Sequence, residues 1–342
     1  MIIRSKAPLR IGFAGGGTDV SPFSDEFGGA VLNATISMYA YAVIEPRNDG
    51  RIMIRSHDQG VFFEAEKSEF LEIDGKLDLL KGVYNRLVRE FIKESVSFSL
   101  TTYVDAPAGS GLGSSSTLVV ATIGAFAEWL KIPLGEYDIA RLAYEIERFD
   151  LGLAGGKQDQ YAATFGGFNF IEFFGNEKVI VNPLRIKTDL INELEFNVVL
   201  YYTGTSRVSS QIVELQSRNV TDRKKIPMES MHRLKIQAGQ MKEAILTGEL
   251  GRIGEILDFG WEHKKQTAIN ITNPFIDKVY DAAKESGATG GKISGAGGGG
   301  FMMLYCPENS RYAVIDSLKQ FGGEFRRYQY TQHGLITWKG ST

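Results

Sequence analysis

The sequence predicts a two-lobed α+β protein, and three observations carry that expectation. The chain has 342 residues, more than a single hydrophobic core usually organises. Period-two alternation and helical apolar stripes both recur along it. Near residues 183–195 the pattern restarts, with "EFNVVLYYTG" opening a second run of helices and strands, so the lobes are expected at 1–188 and 189–342.

Each element has its own signal. Ile2 to Phe13 alternates as a strand and breaks at Gly15-Gly16-Gly17, after which Ser21-Pro22 can start a short helical turn. Residues 30 to 65 read as long β-ribbons, "AVLNATISMYAYAVIEPR" and "RIMIRSHDQGVFFEAE", with Asn48-Asp49-Gly50 as the hairpin turn between them. Leu77 to Lys93 is an amphipathic helix, its stripe set by Leu80, Val83, Tyr84, Leu87, Val88 and Phe91. The strand "SFSLTTYVDAP" follows. Ser114 to Leu130 is apolar on nearly every side and is expected to be a buried helix. Gly135 to Phe149 carries a second helical stripe. Beyond the restart, helix "PFIDKVYDAAKES", strand "GFMMLYC", helix "YAVIDSLKQF" and the terminal "EFRRYQYTQHGLITW" give an α+β sandwich pattern.

Composition removes several classes of function. Hydrophobic residues make up 43% and charged residues 23%, the balance of an ordinary globular protein. A net charge of −3, with no dense basic block, leaves no electrostatic footprint for nucleic acid. Cys306 is the single cysteine, so no internal disulfide can form and the cytoplasm is the default compartment. The longest apolar run, Leu118 to Leu130, is interrupted by Thr122 and Glu128, and no membrane span is expected.

Three glycine-rich stretches carry the chemistry. "PAGSGLGSSST" lies between a strand and a buried helix, so the free N–H groups of that helix's first turn point back at the loop and attract anions. Glycines let the backbone approach a phosphate, and the serine hydroxyls add donors or a ligand for a cation. The plain alternative is a flexible N-cap, which needs one serine rather than three. A Walker loop would require a lysine where Ser114 stands, and a dinucleotide fingerprint would require a third glycine and a βαβ setting. The second stretch, "GGKISGAGGGGF", has four successive glycines, Gly297 to Gly300, which implies a close approach to the backbone. The third, "APLRIGFAGGGTD", ends a strand, with Thr18 and Asp19 exposed beyond the glycines.

In this order and at this separation, the three stretches resemble the signature motifs of the GHMP kinases, the superfamily of galactokinase, homoserine kinase, mevalonate kinase and phosphomevalonate kinase. The resemblance spans nearly the whole chain. It implies the two-lobed GHMP kinase fold, with an N-terminal lobe like the second domain of ribosomal protein S5 and a ferredoxin-like C-terminal lobe. It also implies ATP as phosphate donor and Mg2+ as its cation. Pro107, Gly109, Ser110, Gly111, Leu112, Gly113, Ser114, Ser115 and Ser116 would form the ATP-phosphate loop. "GGGTDVSPF" is similar to the heptose kinases within the superfamily, where galactokinases have Gly-Glu-His. The implied reaction phosphorylates D-glycero-α-D-manno-heptose 7-phosphate at its anomeric C1 hydroxyl, for surface-polysaccharide synthesis. Fucokinase- or galactokinase-like substrates, and a non-catalytic sugar or nucleotide sensor, are the alternatives.

The resemblance also distributes roles. Asp159, in "GGKQDQYAAT", matches the aspartate beside the acceptor hydroxyl and would act as general base or orienting group. Arg10 matches the basic residue that lowers that aspartate's pKa and stabilises the transferred charge, with Lys6 as its rival at the same strand parity. Glu147 and Ser115 would ligate magnesium. Gly17, Thr18, Asp19, Gly297 and Gly298 would contact the substrate. For the sugar's own phosphate the sequence offers Arg4, Lys157, Arg207 and Lys292 without choosing, and Thr205, Ser206 and Arg207 border either the substrate or a helix cap. The expected partners are ATP and a small sugar phosphate, with no nucleic acid and no membrane. A homodimer is left open.

Overall fold

The computed structural model describes residues 1–204 and 209–340. Thr205, Ser206 and Arg207 lie outside the described residues. The first sheet contains β1 (Ile2–Ala14), β2 (Gly29–Pro46), β3 (Arg51–Ser56), β4 (Val61–Glu66), β5 (Phe98–Val104), β6 (Phe168–Phe173), β7 (Val179–Pro183) and, from the far end of the chain, β12 (Ile336–Gly340). Its main path runs β12-β1-β2-β5-β3-β4. The length of β2 lets it serve two partners on one side: Gly29–Ala34 pair with β6, and Ala40–Pro46 pair with β5.

The expected hairpin at Asn48-Asp49-Gly50 does not form. Strand β5 inserts between β2 and β3, antiparallel to the first and parallel to the second. Val61–Glu66 instead pairs with β3, so the tight ribbon lies one turn later. The local turn chemistry is as read; the apolar face of Phe98 and Leu100 belongs in the middle of the sheet, and that decides the pairing.

Helices α1 (Phe23–Phe27), α2 (Asp78–Leu87), α3 (Ser114–Leu130), α4 (Glu136–Glu145) and α5 (Gln158–Phe165) belong to this lobe. Helix α3 lies across β1 and β2, and every residue from Ser116 to Phe126 is buried, as its all-round apolar sequence requires. Phe98, Phe126 and Trp129 pack edge-on or tilted with ring centroids 5.1–6.1 Å apart. Helices α2 and α4 end in widened π-helical turns at Val88–Ile92 and Ile146–Asp150, and the second carries Glu147.

The second lobe runs α6 (Thr188–Asn197), β8 (Val198–Tyr202), α7 (Ser209–Thr221), α8 (Lys225–Thr247), α9 (Ile253–Lys265), α10 (Pro274–Glu285), β9 (Gly290–Ile293), β10 (Phe301–Tyr305), α11 (Ser310–Leu318) and β11 (Glu324–Phe325). Its sheet, ordered β11-β8-β10-β9, is antiparallel throughout. Both faces are covered. Val198, Leu200, Phe301, Met303 and Tyr305 join the core that contains the first sheet, whereas Val199, Tyr201, Met302 and Leu304 pack with Trp261 and Ile276. Burial on both faces explains why these strands read as unbroken apolar runs.

A linear cut at residue 188 misplaces one element. Strand β12 leaves the second lobe and pairs antiparallel with β1, Ile2 opposite Gly340 through Lys6 opposite Ile336. The free edge of β1 is satisfied by the last strand of the chain.

Candidate active site

Between the lobes opens a cleft of about 510 Å3. One wall is the β5–α3 loop, where Gly109, Gly111 and Gly113 all adopt left-handed backbone, with φ of 71°, 81° and 79°. Gly113 occupies the N-cap of α3, and no side chain caps the helix. The N-cap alternative is therefore not used, and the first-turn N–H groups remain available to an anion. Gly109, Gly111, Gly113, Ser114, Ser115 and Ser116 line the cleft. Three neighbours do not. Pro107 is exposed outside it. The Leu112 side chain is core, and its carbonyl accepts the Arg10 N–H at 3.1 Å. Ser110 is buried, and its carbonyl accepts the Phe301 N–H at 2.9 Å.

The second glycine run explains that last contact. A Cβ at Gly111 would lie 2.2 Å from the Ser294 carbonyl oxygen, and one at Gly300 2.5 Å from that of Ser110. The close approach required by the four glycines is thus loop against loop. Gly297 and Gly298 face Ile271, whose carbonyl accepts the Gly298 N–H at 2.7 Å. They do not border the cleft, and Gly295 and Ala296 do so in their place.

Asp159 stands in the first turn of α5 against Gly113. Arg10 Nε donates to Asp159 Oδ1 at 2.7 Å, with Nη2 2.5 Å from the same oxygen. Arg10 Nη1 donates to the Gly111 carbonyl at 2.6 Å, which ties the pair to the β5–α3 loop. The arginine is buried, and the aspartate side chain keeps 24% of its surface open to the cleft. Lys6 meets neither residue: a register irregularity between Pro8 and Arg10 breaks their common parity, and its ammonium lies 4.5 Å from the Tyr39 ring centroid.

Glu147 is 2% exposed at the cleft floor. Its Oε2 accepts from Gln160 Nε2 at 2.5 Å, and its Oε1 accepts from Ser115 Oγ at 3.4 Å. Burial pushes its carboxyl pKa up, opposed by Arg148 and by the hydrogen bonds of Ser116 and Gln160.

At the other end lies Asp19, which accepts from the main-chain N–H of Gly17 at 3.1 Å and of Gln158 at 3.2 Å, and from Gln158 Nε2 at 3.3 Å. Gly17 lines the cleft beside it. Thr18 does not: its hydroxyl is fully buried, bonded to the carbonyls of Gly15 and Ala30 and to the Ala30 N–H, so it shapes the loop. Sequence reasoning missed Lys264 here and left Lys292 among four choices. Burial pulls Lys264 down to about 8 and Lys292 to about 7, while Asp19 acts to raise both. The signal for Lys264 was its place on the buried stripe of α9, in line with Ile253, Ile256, Leu257, Gly260 and Trp261. Of the other candidates, Lys157 is paired with Asp25 at 3.0 Å, and Arg4 lies on β1 opposite Trp338 of β12.

A helix start open to anions, a carboxylate held by arginine and a buried acid beside a serine, set between two α+β lobes, are the parts that phosphoryl transfer calls for. The family model for the GHMP kinases N terminal domain matches residues 78–167, and that for the GHMP kinases C terminal matches 241–324. The chain belongs to the GHMP kinases. It is 49% identical over 337 residues to the D-glycero-alpha-D-manno-heptose 7-phosphate kinase of Campylobacter jejuni, covering 98% of this chain and 99% of that one. A crystal structure of a D-glycero-D-manno-heptose 1-phosphate kinase from Bacteroides thetaiotaomicron matches with TM-score 0.85 at 46% identity, covering 99% and 100% of the two chains. Lactococcus lactis galactokinase complexed with galactose shares the fold, with TM-score 0.77 at 19% identity over 98% of this chain and 95% of that one. Among the described residues, no helix is long and apolar enough to cross a membrane.

Proposed function

We propose that this kinase transfers the γ-phosphoryl group of ATP to the anomeric C1 hydroxyl of D-glycero-α-D-manno-heptose 7-phosphate. The product is the 1,7-bisphosphate, on the route to nucleotide-activated heptose for surface polysaccharide. The observation that carries the reading is the full-length 49% identity to a heptose 7-phosphate kinase, over a cleft whose half-buried carboxylate is held by Arg10.

In this reading, the amides of residues 109–116 hold the nucleotide phosphates. Asp159 accepts the proton of the C1 hydroxyl as the new O–P bond forms and the bond to ADP breaks. The Arg10 fork orients Asp159 and offers charge to the transferring group. Asp19 and Gln158 receive sugar hydroxyls. Glu147 and Ser115 present hard oxygens of the type Mg2+ takes, and the buried carboxylate, 3.9 Å from Arg148, has charge left for a cation. That ion, when bound, neutralises phosphate charge.

The two heptose relatives are named for different phosphate positions, so the test uses both sugars. Coupled ADP release is measured with the 7-phosphate, the 1-phosphate, fucose and galactose. Turnover is expected with the 7-phosphate, and turnover restricted to free hexoses or to the 1-phosphate contradicts the reading.

A further inference from the structure

Two lysines are buried side by side where the cleft meets the loop at residues 15–17. Lys264 of α9 is 4% exposed and Lys292 of β9 is 6% exposed. Among the described residues, their ammonium groups hydrogen-bond only to main-chain carbonyls, Lys264 Nζ to Gly16 at 3.1 Å and Lys292 Nζ to Gly12 at 3.2 Å. The backbone makes room for them: a Cβ at Gly17, where φ is +105°, would lie 2.8 Å from Lys264 Nζ, and one at Gly16 would lie 3.6 Å from Lys292 Nζ.

The local charge does not balance. Arg10, Lys264 and Lys292 bring three basic groups together, and one carboxylate, Asp159, is already matched by Arg10. Among the described residues Asp19 is the one carboxylate that acts on both lysines, so two amines share a single counter-charge. A buried ammonium short of counter-charge is costly, so two such lysines beside a cleft favour the arrival of a dianion. A phosphate monoester carries about −2 charge near neutral pH. Lys264 itself lines the cleft, whereas Lys292 stands behind it.

We propose that Lys264, backed by Lys292, is the seat for the phosphate that the sugar already carries, and that it makes the enzyme prefer sugar phosphates to free sugars. The proposal rests on the sugar-phosphate reading above. It assigns the pair to specificity, since neither lysine touches the arginine-held carboxylate that performs the transfer.

The experiment is calorimetric titration of the full chain with D-glycero-D-manno-heptose 7-phosphate, with the unphosphorylated heptose and with a non-hydrolysable ATP analogue. The wild type is expected to bind the 7-phosphate at least 10-fold more tightly than the free sugar. Lys264→Met is expected to erase that preference while leaving analogue affinity within about 2-fold. Lys292→Met is expected to reduce the preference less, and melting curves show whether each variant is folded. A preference that survives in both folded variants overturns the proposal, as does an equal loss for the two sugars or a loss that falls on the nucleotide. Binding of neither sugar by the wild type overturns the substrate reading itself, a result distinct from the other three.

Discussion

At the scale of single residues, the site is organised by which charges are matched and which are left over. Arg10 and Asp159 are matched, so Asp159→Asn removes the proposed base and leaves a buried guanidinium without its counter-charge. The expected result is a fall in turnover of about 100-fold or more with nucleotide affinity retained. Single-turnover rates together with nucleotide titration check it, and undiminished turnover removes Asp159 from the mechanism. Ser115→Ala is expected to raise the magnesium concentration needed for half-maximal rate, and an unchanged titration curve contradicts its role. The lysines predict a pH effect on stability. Lys292 titrates near 7 in the folded chain against an ordinary 10.5, with Asp19 from the glycine loop, Arg10 from β1 and Lys264 from α9 facing it. Between those values the unfolded chain binds the extra proton, so this residue's contribution to stability rises with pH. Urea midpoints are therefore expected to improve for the wild type relative to Lys292→Met as pH goes from 7 to 9. A constant difference contradicts the assignment.

At the scale of elements, the two glycine loops form one unit. Gly300 has φ of +91°, and its missing Cβ leaves room for the Ser110 carbonyl. Gly300→Ala is expected to cost about 1–3 kcal/mol from backbone strain, with more from the clash, and to weaken ATP binding by shifting the phosphate loop. Denaturant midpoints and nucleotide titration measure both effects. Much of this level was legible in the sequence. The span Ser114–Leu130 stands as read, and Asp159 and Glu147 line one cleft because family motifs fixed their positions. What was not legible depends on non-local pairing. No local signal announces that β5 separates β2 from β3, or that Gly297 and Gly298 pack on Ile271 outside the cleft lining. Lys264 escaped notice because a lysine on an apolar stripe looks like a solvated charge until the stripe is seen to be buried.

At the scale of the whole molecule, the cleft draws on both lobes: the phosphate loop, Arg10, Asp19 and Asp159 come from the first, and Lys264, Gly295 and Ala296 from the second. Two features hold the lobes in register. Leu200, Met241, Phe301 and Tyr305 share a core with the first sheet, and β12 pairs with β1, the strand that carries Arg10. Truncation after residue 335 is expected to lower Tm by roughly 2–4 °C or more and to raise KM for both substrates. An unaltered Tm would show that β12 contributes no strapping. The account stands or falls on the chemistry of the cleft, and phosphorus NMR of a reaction containing ATP, Mg2+ and D-glycero-D-manno-heptose 7-phosphate tests it most directly. The predicted result is a new anomeric phosphate resonance growing with ADP, about 100-fold or more slower with Asp159→Asn. No product from the 7-phosphate, or a phosphate appearing at any carbon other than C1, contradicts it.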